Sequence, residues 1–298
     1  MKKGWITFDL DGTLMQNPFS KWVFPEIERK VKEKKPSAEV VKALVTEHYR
    51  RMGKKEFVAA YDWQNMLDEF LINEGINIEI NIAKLVRTFA TPSKVYLLER
   101  IIPEVLKKLK VDNFLVAAVT NGFYDYQIPV METLEIDYLF DEIITPDHVG
   151  YAKPDVGIFR TLLKKGNVLM HVGDRIDHDV MLANEFGSIS IWINKDLPKN
   201  LQSIKPVQRM QTYDGQLLSA KKWKEEIKQQ EMVLNRNIVE NRLASEDSKQ
   251  KERTERNGPE LIAELKKANG LPDHIIHSTS EILSIVQEWG QSPTASPR

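Results

Sequence analysis

Hydrophobic and polar positions alternate along this chain in two different rhythms. Residues 5–8 form a short aromatic and β-branched run that stops at the polar turn Asp9-Leu10-Asp11-Gly12-Thr13. Residues 114–119 stop in the same way at Thr120-Asn121-Gly122, and residues 168–172 at Gly173-Asp174. Each run has the pattern of a buried strand that hands its carboxyl end to a loop. Helical periodicity at 103–110, 126–135, 156–165 and 177–186 separates them, and 188–193 reads as one more strand. The alternation predicts an α/β protein with a parallel sheet, in which ligands gather at the carboxyl ends of the strands.

Between residues 15 and 99 strand signals give way to helical spacing, carried by Val40, Val41, Leu44 and Val45, then Phe57, Tyr61, Met66, Leu67, Phe70 and Leu71. Ser37 is the expected N-cap of one helix, and Gly53 separates it from the next. After residue 194 the chain is broken by Pro198, Pro206 and Gly215. Residues 219–256 then carry 10 basic and 8 acidic side chains, so little of this stretch can belong to a core. Trp223, Ile227, Leu234, Ile238 and Leu243 keep a ragged helical spacing, which predicts an exposed helix followed by a solvated linker over 245–258. A short helix at 259–268, an edge strand at 274–276 and a last helix at 280–289 follow, with a disordered tail over 291–298. The predicted organisation is a catalytic core of 1–14 and 100–196, a helical insert of 15–99, a charged helical insertion or linker of 197–258, and a return to the core over 259–290.

Composition narrows the function classes. The 298 residues hold 42 Lys plus Arg against 43 Asp plus Glu, a balance that argues against nucleic acid or a membrane surface as the general partner. No apolar run approaches the ~18–20 residues that cross a bilayer. The first residues reach a charge before any long apolar stretch, so no signal peptide is expected and the cytoplasm is the expected compartment. The absence of cysteine removes disulfides, thiolate catalysis and Cys-ligated zinc.

In an extended chain residues two apart share a face, so Asp9 and Asp11 can present two carboxylates to one pocket. Such a pair repels, and it persists where one carboxyl is protonated or a cation is close. An isolated Asp-x-Asp-Gly is equally compatible with an Asx turn at a strand end. The order of further motifs separates the two readings. Phe8-Asp9-Leu10-Asp11-Gly12-Thr13-Leu14, Val119-Thr120-Asn121-Gly122, Lys153-Pro154-Asp155 with Ile158-Phe159, and Val172-Gly173-Asp174-Arg175-Ile176-Asp177-His178-Asp179 resemble, in order, the four motifs of the haloacid dehalogenase-like hydrolase superfamily. The resemblance covers residues 1 to about 196 and includes Tyr138 to Ile144, similar to the strand that precedes the family's lysine.

The resemblance implies a Rossmann-like core, with 15–99 as the helical cap that closes over the site and selects substrates. It implies that Asp9 attacks phosphorus to give an aspartyl-phosphate and that Asp11 first protonates the leaving oxygen and then deprotonates water. Mg2+ is the implied cofactor, held by Asp9, the Asp11 backbone carbonyl and Asp174, with Asp177 and Asp179 behind these ligands. The Thr120 hydroxyl, the Asn121 backbone N–H and Lys153 would receive the phosphoryl group. Arg175 stands where many members carry a small polar residue. The intact Asp-x-Asp points to phosphoryl transfer and thus to a phosphatase acting on a small phosphorylated metabolite. The alternatives are a sugar-phosphate mutase and a non-catalytic binding module.

Weaker signals lie outside the motifs. Residues 21–55 carry 11 basic and 5 acidic side chains, so Arg29, Lys30, Arg50 or Lys54 could draw in an anionic substrate, although a solvated helix face is the plainer reading. Tyr61 and Trp63 could stack on a ring, while aromatics at helical spacing usually serve a core. His178 either faces the site or merely precedes Asp179; the other histidines lack metal-ligand spacing. The charged stretch 219–256 is expected to be a solvated arm dispensable for chemistry, with a homodimer contact through Trp223, Ile227, Leu234 and Ile238 as the alternative.

Overall fold

The computed structural model describes residues 2–242 and 257–291. Its strands are β1 (Trp5–Phe8), β2 (Met15–Gln16), β3 (Tyr96–Leu97), β4 (Leu115–Val119), β5 (Glu142–Ile144), β6 (Val168–Gly173), β7 (Ile189–Ile193) and β8 (His274–Ile276). Six of them form one parallel sheet in the order β5-β4-β1-β6-β7-β8. Every residue of β1 and of β6 is buried, as expected for central strands covered on both faces. Phe8 pairs with Ala118 on one side and Val172 on the other, so the carboxyl ends of β4, β1 and β6 lie side by side. The chain leaves β1 for β4 on one side and reaches β6 on the other. A crevice therefore opens at the end of β1, the switch point where such sheets bind ligands.

The helices between β2 and β3 include Phe24–Lys32, Val40–Gly53, Trp63–Asn73 and Ile82–Phe89. The two-residue strands β2 and β3 pair antiparallel and tie the entrance of this helical segment to its exit. The sequence gave no sign of them, because two residues are too few to display alternation. Ser37 is not the cap of Val40–Gly53: Glu39 holds that position without a side-chain bond, and the Val41 N–H is taken by Glu28 Oε2 at 3.1 Å from the preceding helix. The helix expected at 156–165 is two short 3-10 turns, Val156–Phe159 and Leu162–Lys164. Asp155 caps the first of them through Gly157 N–H. The helix expected at 177–186 opens with a wide π-type turn, Ile176–Val180, before Met181–Phe186.

The largest departure concerns the charged stretch. A long helix, Tyr213–Arg242, runs through it, and its described part is not a solvated arm. Ser219 and Ala220 are fully buried and Glu226 is 3% exposed. Trp223 packs half-buried into a second core cluster with Trp192, Leu261 and Leu265, which takes it away from an external contact. Charge composition misled here because only the inward stripe of the helix is covered, while Lys221, Glu225 and Lys228 remain exposed. Helix Gly258–Lys267 packs against it and leads to β8, which closes the sheet beside β7. The side chains of Leu234 and Ile238, the linker over 245–256, Leu243 and most of the expected tail lie outside the described residues. Among the described residues no helix is long and apolar enough to cross a membrane.

Candidate active site

At the carboxyl end of β1 the turn from Asp9 to Thr13 puts two carboxylates into a cavity of about 290 Å³. Gly12 adopts φ +85°, and a Cβ on it would stand 2.6 Å from Asp174 Oδ2, so only glycine lets the β1 and β6 loops approach this closely. Gly173 serves the same end, since a Cβ there would overlap Asp179 Cγ at 2.1 Å. Thr120, Asn121, Lys153, Asp174, Arg175, His178 and Asp179 line the cavity with Asp9 and Asp11.

Lys153 is the buried cation of this cluster. Its Nζ donates to Asp9 Oδ1 at 2.5 Å and to Asp179 Oδ1 at 2.7 Å. Burial works against its charge, but Asp179 and Asp9 outweigh that and raise its pKa. Asp179 is desolvated as well, yet Lys153 and His171 Nε2, at 3.1 Å, hold it below the ordinary carboxylate range. Asn121 fixes the lysine through a reciprocal pair: its Nδ2 donates to Lys153 O at 3.0 Å and its Oδ1 accepts from Lys153 N at 2.7 Å. The Asn121 side chain thereby latches two loops together. Thr120 Oγ1 accepts from Gly122 N–H at 3.1 Å, which leaves its own proton to give.

The other three acids are shifted the opposite way. Burial raises Asp9, and Lys153 only partly offsets it. Asp11 rises to about 6, through burial and then the charge of Asp9, against the hydrogen bond Gln127 donates to its Oδ2 at 2.7 Å. Its other oxygen, Oδ1, is buried without a hydrogen-bond partner. Asp174 rises to about 7, through burial and the charges of Asp9 and Asp179. Oxygens of Asp9, Asp174 and Asp179 all lie within 4.8 Å of one another. A hard, all-oxygen set this short of positive charge fits a divalent cation such as Mg2+.

Of the residues singled out from the sequence, Asp9, Asp11, Thr120, Asn121, Lys153, Asp174 and Asp179 come together. Asp177 turns away, accepting from Arg175 Nε at 2.9 Å, Arg175 Nη2 at 2.7 Å and Gln230 Nε2 at 2.8 Å. Tyr61 and Trp63 line the cavity, and Trp63 stacks on His48 with ring centroids 5.2 Å apart. Tyr61 Oη meets His178 Nδ1 at 3.3 Å, and burial lowers His178 to about 4, so it is neutral at physiological pH. By contrast, Arg29 pairs with Glu26 and Glu33, Arg50 pairs with Glu47, and neither lines the cavity. Gln127 and Gln230 escaped the sequence reading. Amides without a motif carry no signal until their partners are known.

A crevice at a sheet switch point, with a carboxylate pair just past the central strand and a buried lysine opposite, defines an α/β protein with a polar site at its strand ends. A family model for haloacid dehalogenase-like hydrolases matches residues 4–187, and the chain belongs to that family. The glyceraldehyde 3-phosphate phosphatase of Methanocaldococcus jannaschii is 31% identical over 103 residues, 33% of this chain and 45% of the relative. That of Methanothermobacter thermautotrophicus is 30% identical over 93 residues, 30% of this chain and 41% of the relative. The chain thus spans less than half the length of these relatives. The L-2-haloacid dehalogenase of Xanthobacter autotrophicus shares the fold at a TM-score of 0.50 and 13% identity, over 96% of this chain and 99% of that one.

Proposed function

We propose that this chain is a Mg2+-dependent phosphatase of the cytoplasm that hydrolyses a small phosphorylated metabolite through an aspartyl-phosphate on Asp9. The observation that carries the reading is Asp11. It is a carboxyl with a pKa near 6 and one buried, unpartnered oxygen, two residues from the Asp9 carboxylate that accepts from Lys153. An acid that must give a proton and take it back works best with a pKa close to the operating pH.

In this mechanism Asp9 attacks phosphorus and the P–O bond to the leaving group breaks as Asp11 protonates the departing oxygen. Asp11 then removes a proton from water, which attacks the acyl phosphate and restores Asp9. Lys153, the Thr120 hydroxyl and the Asn121 backbone N–H would neutralise the phosphoryl oxygens. Asp9, Asp174 and the Asp11 carbonyl would hold Mg2+, with Asp179 behind them on Lys153 and the Arg175 N–H, and the ion's chemistry when bound is to withdraw charge from the phosphoryl group. The helices of 15–99 would act as the cap, because Phe19, Tyr61 and Trp63 line the same cavity as Asp11 and would face the group that leaves with that oxygen. The phosphatase names of the relatives support this reading.

Release of p-nitrophenol from p-nitrophenyl phosphate, with Mg2+ and with chelator, tests it. Absence of Mg2+-dependent release from that compound and from a panel of phosphate esters, including glyceraldehyde 3-phosphate and nucleoside monophosphates, would rule it out. Interconversion of sugar phosphates without net release would make the chain a mutase instead.

A further inference from the structure

The long helix Tyr213–Arg242 reaches the loop that follows β6. At the start of the π-type turn Ile176–Val180 two buried N–H groups need an acceptor, and Arg175 in the capping position supplies no side-chain bond. Glu226, 50 residues further along, supplies it: its carboxylate accepts from Ile176 N–H at 3.1 Å and from Asp177 N–H at 3.1 Å. One helical turn on, Gln230 donates to Asp177 Oδ2, and Asp177 in turn clamps Arg175. The Arg175 N–H donates to Asp179 Oδ2 at 3.1 Å, and the other Asp179 oxygen holds Lys153 against Asp9. A continuous series of buried and partly buried hydrogen bonds therefore runs from the long helix to the carboxylate that opens the proposed chemistry.

We propose that Glu226 is a positioning residue of the active site: from a helix outside the four motifs it fixes the turn that aims Asp179 at Lys153 and at the carboxylate cluster. This rests on the phosphatase reading for its catalytic consequence but not for its structural one. A slackened turn moves Asp179 away from Asp9 and Asp174, which weakens cation binding whether or not a phosphate ester is turned over. Groups that orient metal ligands from behind typically change affinity or activity by about 10- to 100-fold when removed.

The test is calorimetric titration with Mn2+, which takes the same oxygen ligands as Mg2+, alongside p-nitrophenyl phosphate kinetics. Glu226→Ala is expected to weaken Mn2+ binding about tenfold and to lower kcat about tenfold with KM nearly unchanged. Glu226→Gln keeps one acceptor oxygen and puts an N–H donor in place of the other, both of which face backbone N–H groups, and should fall between, at about threefold. Met232→Ala, exposed on the same helix, should match the wild type in both. Wild-type Mn2+ affinity in folded Glu226→Ala overturns the proposal. Should that variant not fold, Glu226→Gln decides in the same way, an intermediate loss supporting the proposal and wild-type affinity overturning it. If the wild type binds Mn2+ but hydrolyses no ester, the phosphatase reading fails and the affinities alone judge Glu226.

Discussion

The ends of the central strands and the long helix deliver functional groups in opposite ways. At the strand ends three neighbouring backbones in parallel register bring Asp9, Thr120 and Asp174 together, and each is the next residue or two after its strand. On the long helix Glu226 and Gln230 project inward one turn apart, among exposed Lys221, Glu225, Lys228 and Glu231. The sheet gathers whatever its strands end in, so chemistry there is written as short contiguous motifs. The helix contributes single residues whose partners lie about 50 positions away. Two regions can thus matter to one site while only one of them looks functional along the chain.

The strand-end half of this comparison is broken most directly at its centre. Asp9→Asn is expected to abolish turnover, because an amide cannot form the acyl phosphate, while the protein stays folded or gains stability as repulsion with Asp11 and Asp174 is relieved. Asp11→Asn should cost about 10²- to 10⁴-fold in kcat. Steady-state kinetics with a thermal melt of each variant measures both. Near-normal turnover in Asp9→Asn would detach the chemistry from the end of β1.

The helix half is broken by replacing 220–258 with a short Gly/Ser linker. Composition alone predicts an unchanged enzyme. The structure predicts the reverse, because the exchange removes the fully buried Ala220, the half-buried Trp223 and the Glu226 carboxylate that serves two buried N–H groups. Each such N–H left unpaired costs about 1–3 kcal/mol. Loss of folded protein, or at least about a tenfold loss of kcat in what folds, is expected.

These outcomes show why the sequence disclosed so much of one region and so little of the other. The sheet and seven residues at the site were legible because four short motifs, each ambiguous alone, follow one another in the family's order. β2 and β3 were too short to show a period, and the turn at Ile176–Val180 depends on a cap from another element. Glu226 resembled its exposed neighbours, since the average charge of a helix says nothing about which single carboxylate faces inward. Tyr61 and His178 illustrate the same limit, because their contact across 117 positions exists only once the chain is folded.

A pH titration sharpens the comparison, because both regions hold acids with raised pKa values. Asp11 at about 6, Asp174 at about 7 and Glu226 at about 8 lie above their ordinary values of 3.8, 3.8 and 4.5. For Glu226 burial comes first and the charge of Asp177 second. Between the ordinary value and the raised one, the metal-free folded protein holds protons the unfolded chain has released. These three acids therefore lower stability as pH rises from about 4 to 8, by at most about 1.4 kcal/mol per pH unit for each group in its window, while His178, His48 and His274, whose pKa values burial lowers, oppose them below about pH 6.5. Asp179, held low by Lys153, contributes in the other direction only as pH falls below about 4. In chelator the melting temperature should drop from about pH 6.5 to pH 8, where the histidines no longer oppose the acids, and Mg2+ should restore it more at pH 8 than at pH 5, where protons compete for the same oxygens. Glu226→Gln should flatten the upper end of the slope and leave the lower end intact. A metal-free melting temperature that rises steadily to pH 8 would contradict the placement of these acids.

The smallest effect belongs to the charges that composition made most conspicuous. Arg50 pairs with Glu47 at 2.6 Å on helix Val40–Gly53, with 41% of its side chain exposed, and it does not line the cavity. An exposed pair three residues apart on a helix contributes only about 0.3–0.5 kcal/mol. Arg50→Ala should therefore shift stability by no more than that and leave kcat and KM for p-nitrophenyl phosphate unchanged. Long-range attraction is a separate route by which Arg50 could act, and it would appear as a loss in kcat/KM that vanishes at high salt, since charges beyond the screening length cease to interact. A salt-sensitive loss in Arg50→Ala would return the basic stretch of residues 21–55 to the site as a steering surface. An unchanged kcat/KM at low and high salt would confine the site's electrostatics to Lys153, Arg175 and the carboxylates they hold.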